Sequence, residues 1–132
     1  MATGLSTTNL ANAWLATMRG GGNGTNFTAP AALYAQAHTA DPGASGTTAV
    51  STGVATRQAM AFGAPASGSM SLTTTPSWTA TGSDTVTHVG VWSATSAGTF
   101  YASAALTTPR TVASGDTLTL STFTFSLAPL AA

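Results

Sequence analysis

The 132-residue sequence predicts a mainly β protein: an antiparallel β-sandwich or jelly-roll-like domain with one short N-terminal helix. Two observations lead to this prediction. After residue 28, short runs rich in threonine, valine and aromatic residues alternate with Gly, Pro, Ser and Asp clusters, which is typical of strands and turns. Before residue 28, one segment carries apolar residues at helical spacing. We therefore expect an N-terminal helix and glycine-rich loop (residues 1–28) and a β-sandwich (29–132) within one structural domain.

The predicted helix begins after Thr7 or Thr8, either of which can cap its N-terminus, and ends at the glycines of residues 20–22. Its apolar side chains fall within one stripe, and with Leu5 they form the candidate oligomer or particle interface. These interface residues are Leu5, Leu10, Trp14, Leu15 and Met18. The stripe can pack on the protein's own sandwich or dock on a neighbouring subunit, and the sequence leaves both alternatives open.

The strands are predicted from residue 29 onward. They cover residues 31–39, 55–62, 69–74, 77–80, 86–93, 99–106, 110–112 and 117–127. Residues 86–106 are expected to form a hairpin. In the last strand, apolar and hydroxyl side chains alternate except for a phase slip near Ser121, where a β-bulge would restore the inward facing of the apolar residues.

The charge content is the most unusual bulk property, because 5% of the residues are charged against about 25% in an average soluble domain. Neither lysine nor glutamate occurs, and the formal net charge is +0 at pH 7. So few arginines cannot neutralise a nucleic-acid backbone, and no apolar run approaches the ~18–20 residues that span a bilayer. We therefore exclude nucleic acid and membrane as partners. The uncharged, hydroxyl-rich composition suits permanent assembly with other protein subunits.

His38 and Asp41 are the residues that most resemble a functional site. The structural interpretation is that a strand ends at His38 and that Asp41, Pro42 and Gly43 form a turn. A metal site needs three or more ligands, and the sequence offers few further candidates, so we predict neither a metal nor a cofactor.

Catalysis is also not expected. No G-x-S-x-G motif occurs, and Asp84 and Asp116 lie in turn-like contexts rather than as a general acid–base pair. Strand alternation places Arg57 on the solvent side, as an exposed edge charge or as half of an interface ion pair. The N-terminal segment has no charged leader before its apolar residues, so we expect no signal peptide.

Several blocks carry a resemblance to a known family: residues 33–43 (Leu-Tyr…His-Thr-Ala-Asp-Pro-Gly), 90–92 (Gly-Val-Trp) and 115–118 (Gly-Asp-Thr-Leu). With them, nearly the whole chain resembles small virion structural proteins of tailed bacteriophages, especially those of actinobacterial hosts. Members are commonly labelled tail-fibre or minor tail proteins, and head decoration proteins have a similar size. The resemblance implies a structural role in the virion after assembly in the host cytoplasm, and it brings no enzymatic residues.

The sequence thus favours a capsid decoration protein, a homo-oligomer and most simply a trimer, bound to the major capsid protein or to other virion proteins. The alternative is a tail-fibre or baseplate component in contact with the host surface, in which Tyr34, Trp78 and Tyr101 could stack on sugars. An enzyme acting on envelope polysaccharide, using Asp84 and Asp116, is the third hypothesis.

Overall fold

The computed structural model describes residues 3–19 and 26–127. All the strand pairings among these residues are antiparallel, and one short α-helix lies near the N-terminus, which confirms the predicted fold class. The elements are β1 (Gly4–Leu5), a π-helical turn (Thr7–Ala11), α1 (Asn12–Arg19), β2 (Leu33–His38), β3 (Gln58–Met60), β4 (Ser69–Ser71), β5 (Ser77–Thr79), β6 (Asp84–Trp92), β7 (Phe100–Val112), β8 (Thr117–Thr119) and β9 (Thr124–Ser126). The glycines at residues 20–22, predicted to end the helix, lie outside the described residues.

The main sheet has five strands in the order β1-β7-β6-β2-β3. Its centre is the predicted β6–β7 hairpin, whose turn is closed by the bond from Ser93 N to Thr99 O at 3.0 Å. The two strands predicted over 99–106 and 110–112 are one strand, β7. Its register against β6 is interrupted between Val86 and His88, so residues 106–109 of β7 bulge away from the ladder.

The second layer consists of two two-stranded sheets, β4 paired with β9 and β5 paired with β8, which we together call the ribbon. Between these pairs, Leu72 N donates to Phe123 O at 2.9 Å, and Leu120 N donates to Pro76 O at 2.8 Å. The single strand predicted over 117–127 is thus divided into β8 and β9, and the residues around Ser121 that separate them are not in a strand. The predicted β-bulge near Ser121 stays a prediction.

The core lies between the two layers. The main sheet contributes small and β-branched side chains, including Ala35, Ala37 and Val91, each 0% exposed. Trp78, on the ribbon, is 2% exposed and donates from Nε1 to Thr56 O at 2.6 Å. Because most of the aromatic and leucine side chains of the core come from the ribbon, alanines on the facing strands leave room for them.

The opposite face of the main sheet carries polar and aromatic side chains. Trp92 and Phe100 pack together there, with ring centroids 5.3 Å apart. Residues 39–50 cover this face, and Gly46 lies against the Phe100 ring so closely that no larger side chain would fit. The N-terminal segment joins β7 at its edge, where Ser6 N donates to Tyr101 O at 2.6 Å.

Candidate functional site

The N-terminal segment contacts the protein's own fold along one side. Leu10 is 4% exposed and Ala13 is 6% exposed, so both belong to the protomer's interior. Trp14 is half-buried and meets Phe27 edge to face at 5.7 Å. Leu10, which the sequence placed in the candidate interface, is therefore unavailable to a neighbour, because the π-helical turn directs it into its own protomer.

The remaining interface candidates are at the surface. Leu15 is 63% exposed and Met18 is 83% exposed, and both lie on the outward side of α1. Leu5 is 38% exposed on β1, at the edge of the main sheet. The predicted stripe therefore has two parts. Leu10 packs within its own protomer, whereas Leu15 and Met18 remain accessible to a neighbouring subunit.

The segment after β2 has the geometry of a turn. Asp41 Oδ1 accepts a hydrogen bond from Gly43 N at 2.8 Å, and Gly43 has a φ of 72°, a value that favours glycine. Thr48 N donates to Pro42 O at 3.1 Å. Within residues 3–19 and 26–127, no group of three or more His, Cys, Asp or Glu side chains could hold a metal ion.

Arg57 is only partly exposed, and its guanidinium makes its contacts within the protomer. Its Cζ lies 3.8 Å from the centroid of the Trp92 ring, in a cation–π contact. Its Nη1 donates to Ala94 O at 2.8 Å and to Ala97 O at 2.6 Å, and its Nε donates to Gln36 Oε1 at 3.2 Å. Arg57 precedes β3 instead of lying within it, so strand alternation does not fix its direction. It holds the β6–β7 turn against the sheet, and desolvation lowers its pKa.

Asp84 and Asp116 also have structural environments. Asp84 Oδ2 accepts from Ser51 Oγ at 2.8 Å, from Thr52 N at 2.9 Å and from Gly53 N at 3.3 Å. Desolvation opposes ionisation of Asp84, but the bonds from Ser51, Gly53, Thr52 and Thr85 together lower its pKa. Asp116 Oδ2 accepts from Ala113 N at 2.9 Å within the turn before β8. Each carboxylate therefore fastens a loop.

The residues proposed to stack on sugars are largely inaccessible. Trp78 is 2% exposed and Tyr101 is 9% exposed, so neither presents a ring face to solvent. Tyr34 is half-buried on β2. A groove of about 510 Å³ lies between β7 and the ribbon, and its lining combines apolar residues such as Val86, Val89 and Leu120 with five threonines.

The outer face of the ribbon consists of hydroxyl side chains paired across the strands. Ser71 Oγ lies 3.2 Å from Thr124 Oγ1, and Ser77 Oγ lies 3.2 Å from Thr119 Oγ1. We call this surface the hydroxyl face; it comprises Ser69, Ser71, Ser77, Thr79, Thr117, Thr119, Thr124 and Ser126. It gives the molecule a hydrated surface without ionised groups.

Residues 5–128 match the family described as Podophage GP4 fiber I protein gp80. The chain belongs to this podophage fibre family. A search of curated proteins finds no significant match. The protein is thus a fibre-type structural protein of a bacteriophage, which confirms the virion resemblance and accords with the tail-fibre alternative better than with capsid decoration. The actinobacterial host stays a prediction.

Two further findings concern this fibre-family chain. In the part of the chain that the structure describes, no helix is long and apolar enough to cross a membrane. The Arg57–Trp92 contact was missed by sequence reasoning because its two residues are far apart in the chain and no local pattern connects them. The sequence showed only an isolated arginine near an alanine-rich segment, and strand alternation predicted that its side chain faces solvent.

Proposed function

We propose that the protein is a structural subunit of the fibre apparatus of a tailed phage, at the tail or baseplate, and not a decoration of the capsid surface. The observation that carries this proposal is the match to a fibre family over residues 5–128, nearly the full sequence. Capsid decoration, the first hypothesis from the sequence, has no comparable support.

The architecture supports a passive structural role. Two packed layers surround an apolar core, and the loops are fastened by Arg57, Asp84 and Asp116 through hydrogen bonds to the backbone. Asp84 and Asp116, the carboxylates considered for acid–base chemistry, are engaged in these structural bonds. A subunit of this kind contributes a rigid fold and binding surfaces to the particle and does not catalyse a reaction.

We further propose that the protein assembles with copies of itself through the outward side of α1, with three subunits around one axis as the expected closed form. Leu15 and Met18 are the exposed apolar residues there. Burying such a side chain contributes roughly 1.5–3 kcal/mol, and the chain has few charges with which to form interface ion pairs. Association should consequently be almost insensitive to salt.

The location is tested by imaging purified particles that have been labelled with an antibody fragment against the protein. The proposal predicts density at the tail end of the particle. Density distributed over the capsid lattice would contradict the proposal and would favour capsid decoration instead. Particles lacking the protein serve as the control for nonspecific labelling.

A further inference from the structure

His38 is a fully buried histidine at the end of β2, beneath residues 39–50, which we call the cover loop. His38 is 0% exposed, and its Nδ1 lies 2.9 Å from Thr48 O. A carbonyl oxygen only accepts, so Nδ1 carries the hydrogen, and Nε2 of the neutral ring is then an acceptor. Beside His38, the bond from Thr39 N to Ala49 O at 2.8 Å joins the two ends of the cover loop, and Ser51 N donates to Ala37 O of β2 at 3.0 Å.

The other ring nitrogen of His38 has an unusual neighbour. His38 Nε2 and Trp92 Nε1 are buried side-chain nitrogens for which no hydrogen-bond partner is found among the described residues. Both lie over Gly90, because a Cβ at position 90 would be 2.9 Å from His38 Nε2 and 3.4 Å from Trp92 Nε1. A neutral His38 places an acceptor near the indole N–H donor. A protonated His38 would place one N–H donor near another, with no acceptor available.

The charged groups around His38 reinforce this asymmetry. Arg57 stacks on the Trp92 ring, and His88 lies directly opposite His38 on β6; both disfavour a positive charge on His38. Asp41, on the cover loop, favours it. Desolvation by burial is the largest influence and, despite the raising effect of the Thr48 hydrogen bond, the pKa of His38 lies below 6.5.

We propose that His38 is an acid-sensitive latch for the cover loop. In mildly acidic solution, a proton from solvent binds Nε2 and forms the imidazolium, and no covalent bond of the protein breaks. Burial disfavours the imidazolium at this position, so the cover loop separates from the sheet and water reaches the ring. This movement uncovers Phe100, whose ring lies against Gly46 of the loop and packs on Trp92.

Asp84 provides the hinge of this movement. Its carboxylate holds Ser51, Thr52 and Gly53, the residues that follow the cover loop. The pKa of Asp84 is lowered from 3.8 because these hydrogen bonds outweigh desolvation, which acts in the opposite direction. Between pH 6.5 and 3.8, the latch can therefore release while the hinge remains ionised. The opening is thereby confined to residues 39–50.

The test is amide hydrogen exchange of the full-length protein, corrected for the intrinsic pH dependence of exchange. On lowering the pH below 6.5, protection of the Thr39 amide, which donates from the end of β2 to Ala49 O, should fall by up to about tenfold per pH unit. His38→Asn should abolish this dependence, because the asparagine Nδ2–H can donate to Thr48 O but does not titrate. His88→Asn is the matched control, and it should retain the dependence with its midpoint shifted to higher pH.

Three results would overturn the proposal: wild-type protection that is unchanged down to pH 4.5, the same loss in His38→Asn, or disappearance of the loss in His88→Asn. If His38→Asn does not fold, ring nitrogen NMR of the wild-type protein decides. The latch requires the Nδ1–H tautomer at pH 7.5 and a titration midpoint of His38 that coincides with the loss of loop protection. A different tautomer or a separate midpoint would contradict it.

Discussion

Gly90→Ala tests the packing of His38 against Trp92 by the sign of its effect on stability. Gly90 is buried on β6, and its φ is not in the left-handed region, so alanine is compatible with its backbone. Without a steric conflict, removing backbone freedom from the unfolded chain would stabilise the protein by about 0.4–1 kcal/mol.

The structure predicts the opposite sign. The alanine methyl group would lie 2.9 Å from His38 Nε2, 3.3 Å from Phe100 Cε2 and 3.4 Å from Trp92 Nε1. His38 is held by Thr48 O, and Trp92 is held beneath Arg57, so neither ring can withdraw without losing a contact. Overpacking of this kind typically costs about 1–3 kcal/mol, which exceeds the entropic gain.

The assay is urea unfolding at pH 7.5, monitored by circular dichroism and analysed for both midpoint and slope. Gly82→Ala is the matched control, because a Cβ there would meet only Gly53 Cα, at 3.9 Å, and its φ is also permissive. We expect Gly82→Ala to be neutral or stabilising and Gly90→Ala to be destabilising. Equal stability of the two variants would refute the described packing over Gly90.

Three other predictions use the same unfolding assay or a solution measurement. Arg57→Lys should lower the free energy of unfolding by about 1–3 kcal/mol, because a lysine cannot reproduce its fork of hydrogen bonds; an unchanged midpoint would contradict this. The free energy of unfolding should fall as the pH drops below 6.5, because His38 binds a proton more readily in the unfolded chain than in the folded one. It should fall again below pH 3.8, because the Asp84 carboxylate is protonated first in the unfolded chain. A free energy of unfolding that is the same at pH 7 and pH 5 would contradict the first of these predictions. The double variant Leu15→Gln, Met18→Gln should weaken self-association in sedimentation velocity while changing monomer stability by less than about 0.5 kcal/mol; undiminished association would exclude this surface.

Local periodicity predicted the strands that have one buried and one exposed face. In residues 117–127, apolar and hydroxyl side chains alternate, with a slip near Ser121. This pattern is visible in the sequence because successive side chains of a strand point to opposite faces. It failed at residues 55–62, where only Gln58–Met60 form a strand. Arg57 leaves the sheet to reach Trp92, and no local pattern reports a contact across that distance.

The segment around Pro109 gave the opposite error. Two separate strands were predicted over 99–106 and 110–112, but β7 runs from Phe100 to Val112 and bulges between them. Proline is tolerated there because the bulged residues do not donate to β6. Pairing partners decide whether such a residue ends a strand, and pairing is long-range.

The same limit applies to the candidate surfaces. The helical stripe was visible in the sequence, but its division into the buried Leu10 and the exposed Met18 depends on the π-helical turn and on contacts with β7. The His38 environment likewise requires β2, β6 and the cover loop together. Composition predicted assembly, whereas the position within the virion is a property of partners that the chain does not encode by itself.

The most direct test of a fibre role is the copy number of the protein in purified virions, measured by quantitative mass spectrometry against the major capsid protein. We predict a small, fixed number of copies per particle, as a tail or baseplate fibre requires. A copy number comparable to that of the major capsid protein would contradict the fibre assignment.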